Sequence, residues 1–157
     1  MAPDRQPTTC VAVIQCEVAH ERCTGVQCAM DFADREDLFA RYGDEVRYYV
    51  PFPCGGCPGR RVGRLVHQVK RFMRKRDIPL EQVAVHLSSC MVFDSGHYPP
   101  CPHLADIRLM LARKGFTRVV DGTHLSPQAE ARRAEGLYRP RPGQGSGADA
   151  APDAANP

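Results

Sequence analysis

The sequence predicts a three-layer α/β fold around a four-stranded, mainly parallel sheet with the flavodoxin-like strand order 2-1-3-4. Two observations carry that prediction. Four short β-prone apolar runs, at 10–16, 46–52, 82–87 and 117–120, recur along the chain. Helix-like segments lie between the strands, and a short one follows the last. Repeated strand–helix alternation implies parallel strands joined by right-handed βαβ crossovers.

The run Cys10 to Cys16 is nearly continuous in apolar residues, as a central strand buried on both faces requires. Glu17 to Met30 carries His20, Cys23 and Cys28 with little periodicity and is expected to be a loop. A loop of that length in a small domain is usually functional or disordered, and metal ligation would order it. Residues 31–42 are expected to be helical, with Phe32, Leu38, Phe39 and Tyr42 as the apolar set and Gly43 as the stop. Val46 to Phe52 is the second strand, which Pro51 and Pro53 are expected to end.

Cys54-Gly-Gly-Cys57-Pro-Gly-Arg-Arg follows. Val62, Leu65, Val66, Val69, Phe72 and Met73 then recur at three- and four-residue steps, the spacing of an amphipathic helix. Pro58 suits a position near its first turn. The third strand, Gln82 to Leu87, runs into Ser88, Ser89 and Cys90, and a loop with His97, Tyr98, Cys101 and His103 comes next. Leu104, Ile107 and Leu111 mark a helix that Gly115 stops, and Thr117 to Val120 is the fourth strand, leading to Asp121-Gly122-Thr123-His124. Ser126 as N-cap and Pro127 at the first position predict a short last helix.

A chain of 157 residues is the size of one domain with a real core. Residues 1–9 read as a flexible N-terminus, 10–136 as the folded domain, and 137–157, rich in Pro, Gly and Ala, as a disordered tail. No apolar run approaches the roughly 18 residues of a membrane span, and the opening residues lack the apolar stretch of a signal peptide. The expected location is the cytoplasm, with no membrane partner. In a reducing compartment a cysteine-rich chain is more often metal-binding or redox-active than disulfide-stapled.

Seven of the eight cysteines fall just beyond the end of a predicted strand, and Cys10 alone lies at a strand's beginning. Parallel strands share one carboxyl edge, where α/β folds bind ligands. Cys16, Cys54, Cys57 and Cys90 would meet there, with His124 after the fourth strand. Cys23, Cys28, Cys101 and His103 sit on loops able to fold over the same edge. Cys10 is about 20 Å from Cys16 along an extended strand and is excluded. His20 and His97 are weaker candidates, whereas His67, on the basic helix, and His86, within a strand, suit surface and core positions. Gly55 and Gly56 permit turn conformations that let both flanking sulfurs face one point. Placement before a helix would favour their thiolate form.

The combination Cys16, Cys23-x4-Cys28, Cys54-Gly-Gly-Cys57-Pro-Gly, Ser88-Ser-Cys90, Cys101-Pro-His103 and Gly122-Thr-His124 resembles the CGGC domain family over about residues 10 to 125. The resemblance implies zinc or other metal binding through the many cysteines and histidines of that family. The expected ligands are Cys16, Cys23, Cys28, Cys54, Cys57, Cys90, Cys101, His103 and His124. Thiolates with one or two imidazoles suit zinc, and four or more thiolates also suit an iron-sulfur cluster. Seven thiols exceed one tetrahedral site, so two sites, or a cluster plus free thiols, are open.

A thiol-disulfide redox protein cycling Cys54 and Cys57 is the alternative, although it leaves five thiols unassigned. Residues 60–76 hold eight positive charges and no acid, against a net charge of +3 for the chain. That stretch would attract phosphate. Its apolar stripe and lack of interleaved exposed aromatics favour a solvated surface over nucleic-acid binding. Ser88, Ser89, Asp94 and Asp121 lie near strand ends, yet no nucleophile elbow, phosphate loop or dinucleotide fingerprint accompanies them, and no reaction is assigned.

Overall fold

The four strands pair in the order β2-β1-β3-β4, and every neighbouring pair is parallel, in a three-layer α/β arrangement. They are β1 (Cys10–Gln15), β2 (Tyr48–Pro53), β3 (Val83–Leu87) and β4 (Val119–Asp121). The computed structural model describes residues 7–96 and 98–142. Most of the segments read as a flexible terminus and a disordered tail, and His97, lie outside the described residues.

Alternation along β1 and β3 builds two cores. Cys10, Ala12 and Ile14, with Val83, Val85 and Leu87, pack against α2 (Val62–Arg74) and α4 (Leu104–Arg113) through Val62, Val66, Val69, Ile107 and Leu111. Val11, Val13 and Ala84 point to the other face, against Phe39, Tyr42 and Val46, with Phe32 of α1 (Val26–Asp34) beside them. All six residues of β1 are buried, as its unbroken apolar run requires.

Three differences from the sequence reading bear on the site. The first helix occupies Val26–Asp34 rather than 31–42 and ends where Arg35 turns left-handed at φ 57°. Leu38 and Phe39 are buried from a short 3-10 turn at Asp37–Phe39 instead. Cys28 therefore sits on a helix and not in a loop.

Second, Pro51 lies within β2 and does not end it, whereas Pro53 is its last residue. The Cys54 amide donates to the Gln15 carbonyl at 2.8 Å, so even-numbered residues face β1. The proline nitrogens face the open edge, where no ladder hydrogen bond is lost. Third, α2 begins at Val62, five residues beyond Cys57, so a turn at 57–61 separates the Cys-x-x-Cys pair from the helix.

A short helix, α3 (Ser89–Val92), follows β3. The last helix, α5 (Pro127–Ala134), is capped by the Ser126 hydroxyl, which accepts from the Ala129 amide at 3.4 Å.

Within the second core His86 is fully buried. Its Nδ1–H donates to the Gly122 carbonyl, and its Nε2 accepts from the Tyr42 hydroxyl, each across 2.6 Å. Burial holds its pKa down at about 4, so it is neutral and structural, in keeping with core placement.

Candidate metal centre

The strands deliver their sulfurs to one edge. Cys16 directly follows β1, Cys54 directly follows β2, Cys90 lies three residues past β3, and His124 three past β4. Because β1 lies between β2 and β3, its exit loop reaches both neighbours. The Glu17 amide donates to Cys54 Sγ at 3.4 Å, and the Cys16 amide donates to Cys90 Sγ. Ser88 Oγ also lies 3.0 Å from Cys90 Sγ.

The Gly55 amide donates to the Glu17 carboxylate at 3.1 Å, which ties the CGGC turn to the same loop. Gly55 and Gly56 adopt φ of 83° and 90°, conformations that side-chain-bearing residues rarely accept. The turn leaves Cys54 buried and Cys57 exposed.

The seven thiols form a band in two lobes. Cys101 shares an electrostatic neighbourhood with Cys57, Cys54 and Cys16. Cys90 shares one with Cys16 and Cys28, and Cys28 one with Cys23. Cys16 belongs to both lobes. In the second lobe, Cys16, Cys23, Cys28 and Cys90, with His20 and Gln15, line a cavity of about 20 Å³. Such a volume holds one water-sized species.

Burial pushes the thiols of Cys28, Cys90 and Cys101 above their ordinary range. Nearby donors, including the Thr123 hydroxyl on Cys28 and the His103 amide on Cys101, oppose that rise. No disulfide joins any of the eight cysteines. Cys10 is at the far end of β1, fully buried, with its pKa pushed up to about 12 by desolvation.

The histidines divide. His103 occupies the N-cap position of α4, and its amide donates to Cys101 Sγ at 3.4 Å. His124 Nδ1 lies 2.8 Å from Asp31 Oδ2 and 3.4 Å from Asp37 Oδ2. Among the described residues, Asp31, Asp37 and His124 are the three donors whose atoms all lie within 4.8 Å of one another. No trio of sulfurs among the described residues is that compact.

The sequence reading missed Asp31 and Asp37. They lie 93 and 87 positions from His124 in the chain, with no local motif to join them. His20 Nε2 pairs with Gln15 Oε1 at 3.0 Å, and His67 is exposed on α2. Asp94 is held below the usual carboxylate range by Arg139, and Asp121 pairs with Arg108.

A larger cavity of about 370 Å³ adjoins the second lobe, lined by Cys28, Ser89, Cys90, Thr123, His124 and Arg132 among others. It opens the thiol band to the outside at the edge where α/β proteins take ligands.

A parallel α/β sheet with a thiol-lined carboxyl edge defines a cysteine-rich α/β protein whose donors are soft. The chain belongs to the CGGC domain family, whose model matches residues 10–124. No curated protein and no solved structure gives a significant match. By chemical type the donors fit the metal binding suggested for that family: four thiols line the small cavity, though no three of the described sulfurs lie within 4.8 Å of one another, and thiolates select zinc, copper(I) and iron-sulfur clusters.

Proposed function

We propose that the protein binds a thiophilic metal, zinc or an iron-sulfur cluster, along the carboxyl edge of its sheet. The observation that carries this reading is the water-sized cavity lined by Cys16, Cys23, Cys28 and Cys90. These side chains would hold one ion. Cys54, Cys57 and Cys101, with His103, would supply a second set that meets the first at Cys16.

His124 would contribute through Nε2. Its Nδ1 is engaged by Asp31 and Asp37, the carboxylate support that ligating histidines commonly have. When bound, the metal would neutralise the thiolates and cross-link the loops after three strands, contributing to folding. Sulfurs each about 2.3 Å from a zinc sit close together, so closing either set requires rotation of cysteine side chains from their hydrogen-bonded positions. A reducing, cytoplasmic setting suits eight unbridged cysteines.

A second reading, thiol-disulfide exchange by Cys54 and Cys57, is favoured by one observation. The pair joins an exposed thiol to a buried one within a two-glycine turn. The turn at 57–61 withdraws the helix N-terminus from that pair, which leaves the metal reading first.

Cobalt(II) titration of the reduced, metal-free protein separates the two readings. Metal binding predicts an intense thiolate-to-cobalt charge-transfer band, lost in Cys16→Ser. A protein that gives no such band, yet shows a reversible two-electron couple abolished by Cys54→Ser, is a redox protein instead.

A further inference from the structure

We infer that the chain associates with copies of itself head to tail, the basic face of α2 in one copy docking on the outer face of α1 in the next. The inference is independent of the metal reading. It rests on two helix faces on opposite sides of the sheet.

On one side, α1 turns Val26, Ala29, Met30 and Ala33 to solvent at helical spacing, with Asp34 at the end of the stripe. Val26 and Met30 are 59% and 52% exposed. An outward apolar stripe is the reverse of what a surface helix normally presents. Residues 31–45 around it carry six acids and two arginines. Of these acids Asp34, Glu36, Asp44 and Glu45 are exposed.

On the other side, α2 and the turn before it carry eight cations and no acid over residues 60–76. None of those cations is ion-paired among the described residues. Phe72 is 48% exposed within this surface, with Arg71 and Lys75 over its ring at 5.3 and 5.4 Å. Each face thus has an apolar centre and charges opposite in sign to the other's.

The two faces belong to different layers, since α1 packs on the Val11–Val13 side of the sheet and α2 on the Ala12–Ile14 side. One copy cannot satisfy itself. Pairing is heterologous, and each added copy exposes a fresh face, so the product is a chain rather than a closed dimer. With its charges at the surface, the contact weakens as salt screens them.

Sedimentation of the full chain tests this with two variants altered only at exposed positions. Arg71→Glu with Lys75→Glu spoils the basic face, and Met30→Lys with Asp34→Lys spoils the α1 face. At low salt the unaltered protein is expected to show a weight-average mass at least about twice the monomer's, falling to monomer near 0.5 M salt. Each variant alone is expected to stay short of that mass. Their equimolar mixture is expected to form dimers and nothing larger, because each supplies the face the other lacks.

Circular dichroism checks that the variants fold, and Val26→Lys replaces Met30→Lys if the latter does not. A monomeric protein at every concentration overturns the inference. So does a closed dimer, or a mixture that stays monomeric; retention on poly-glutamate or on single-stranded DNA in the absence of self-association points to a different acidic partner.

Discussion

The main-chain amide of Glu17 donates to the sulfur of Cys54 across 3.4 Å. The loop leaving the central strand therefore holds the first cysteine of the CGGC turn, and one residue earlier it holds Cys90. Cys54→Ala removes an acceptor and a buried side chain together. The expected cost is about 1 kcal/mol of stability, with faster hydrogen exchange at the Glu17 amide. Urea unfolding and amide exchange check both; an unchanged Glu17 rate contradicts the clamp.

Thiol reactivity should follow position on the edge. In reduced, metal-free protein Cys57, exposed, is expected to react first with iodoacetamide. Cys28, Cys90 and Cys101, their thiols raised by burial, should react more slowly. Cys10, at about 12, should lag Cys57 by more than about 100-fold until the protein unfolds. Peptide mass spectrometry over time reads the order, and early labelling of Cys10 would contradict the burial described for it.

The strand order and the edge that gathers the sulfurs were legible in the sequence, because strand apolarity and alternation with helices are local signals. Helix α1 was not. Its exposed stripe of Val26 and Met30 and its buried Asp31 invert the usual pattern, so periodicity located the helix too late in the chain. Pro51 reads as a strand breaker because nothing local reveals that β2 is an edge, although the strand does end at Pro53. The carboxylates around His124 come from a distant segment and were invisible for the same reason.

A Cβ at Gly56 would meet only the flexible Arg60 side chain, at an ordinary 3.9 Å, but the residue has a φ of 90°. Gly56→Ala therefore tests backbone strain without a steric clash. The variant is expected to lose about 1–2 kcal/mol and to weaken metal binding by displacing Cys57 from Cys54. Denaturant midpoint and metal affinity measured on the same preparation check this, and a fully stable variant would show that the turn relaxes freely.

His86 gives the fold a pH dependence. Its pKa is near 4 folded against 6.5 in an unfolded chain, so the unfolded state binds the extra proton between those values. Stability is complete above about pH 6.5 and is lost as pH falls toward 4. The expected loss from this group is about 2 kcal/mol by pH 5. Urea unfolding across that range reads it, and His86→Gln should flatten the slope.

The central claim is that thiols on one sheet edge hold a metal. Elemental analysis of anaerobically purified protein tests it most directly, alongside Cys16→Ser and Cys10→Ser. The account predicts bound zinc, or iron with sulfide, in the unaltered protein and in Cys10→Ser, and its loss in Cys16→Ser. Equal metal in all three, or none in the unaltered protein, would contradict it.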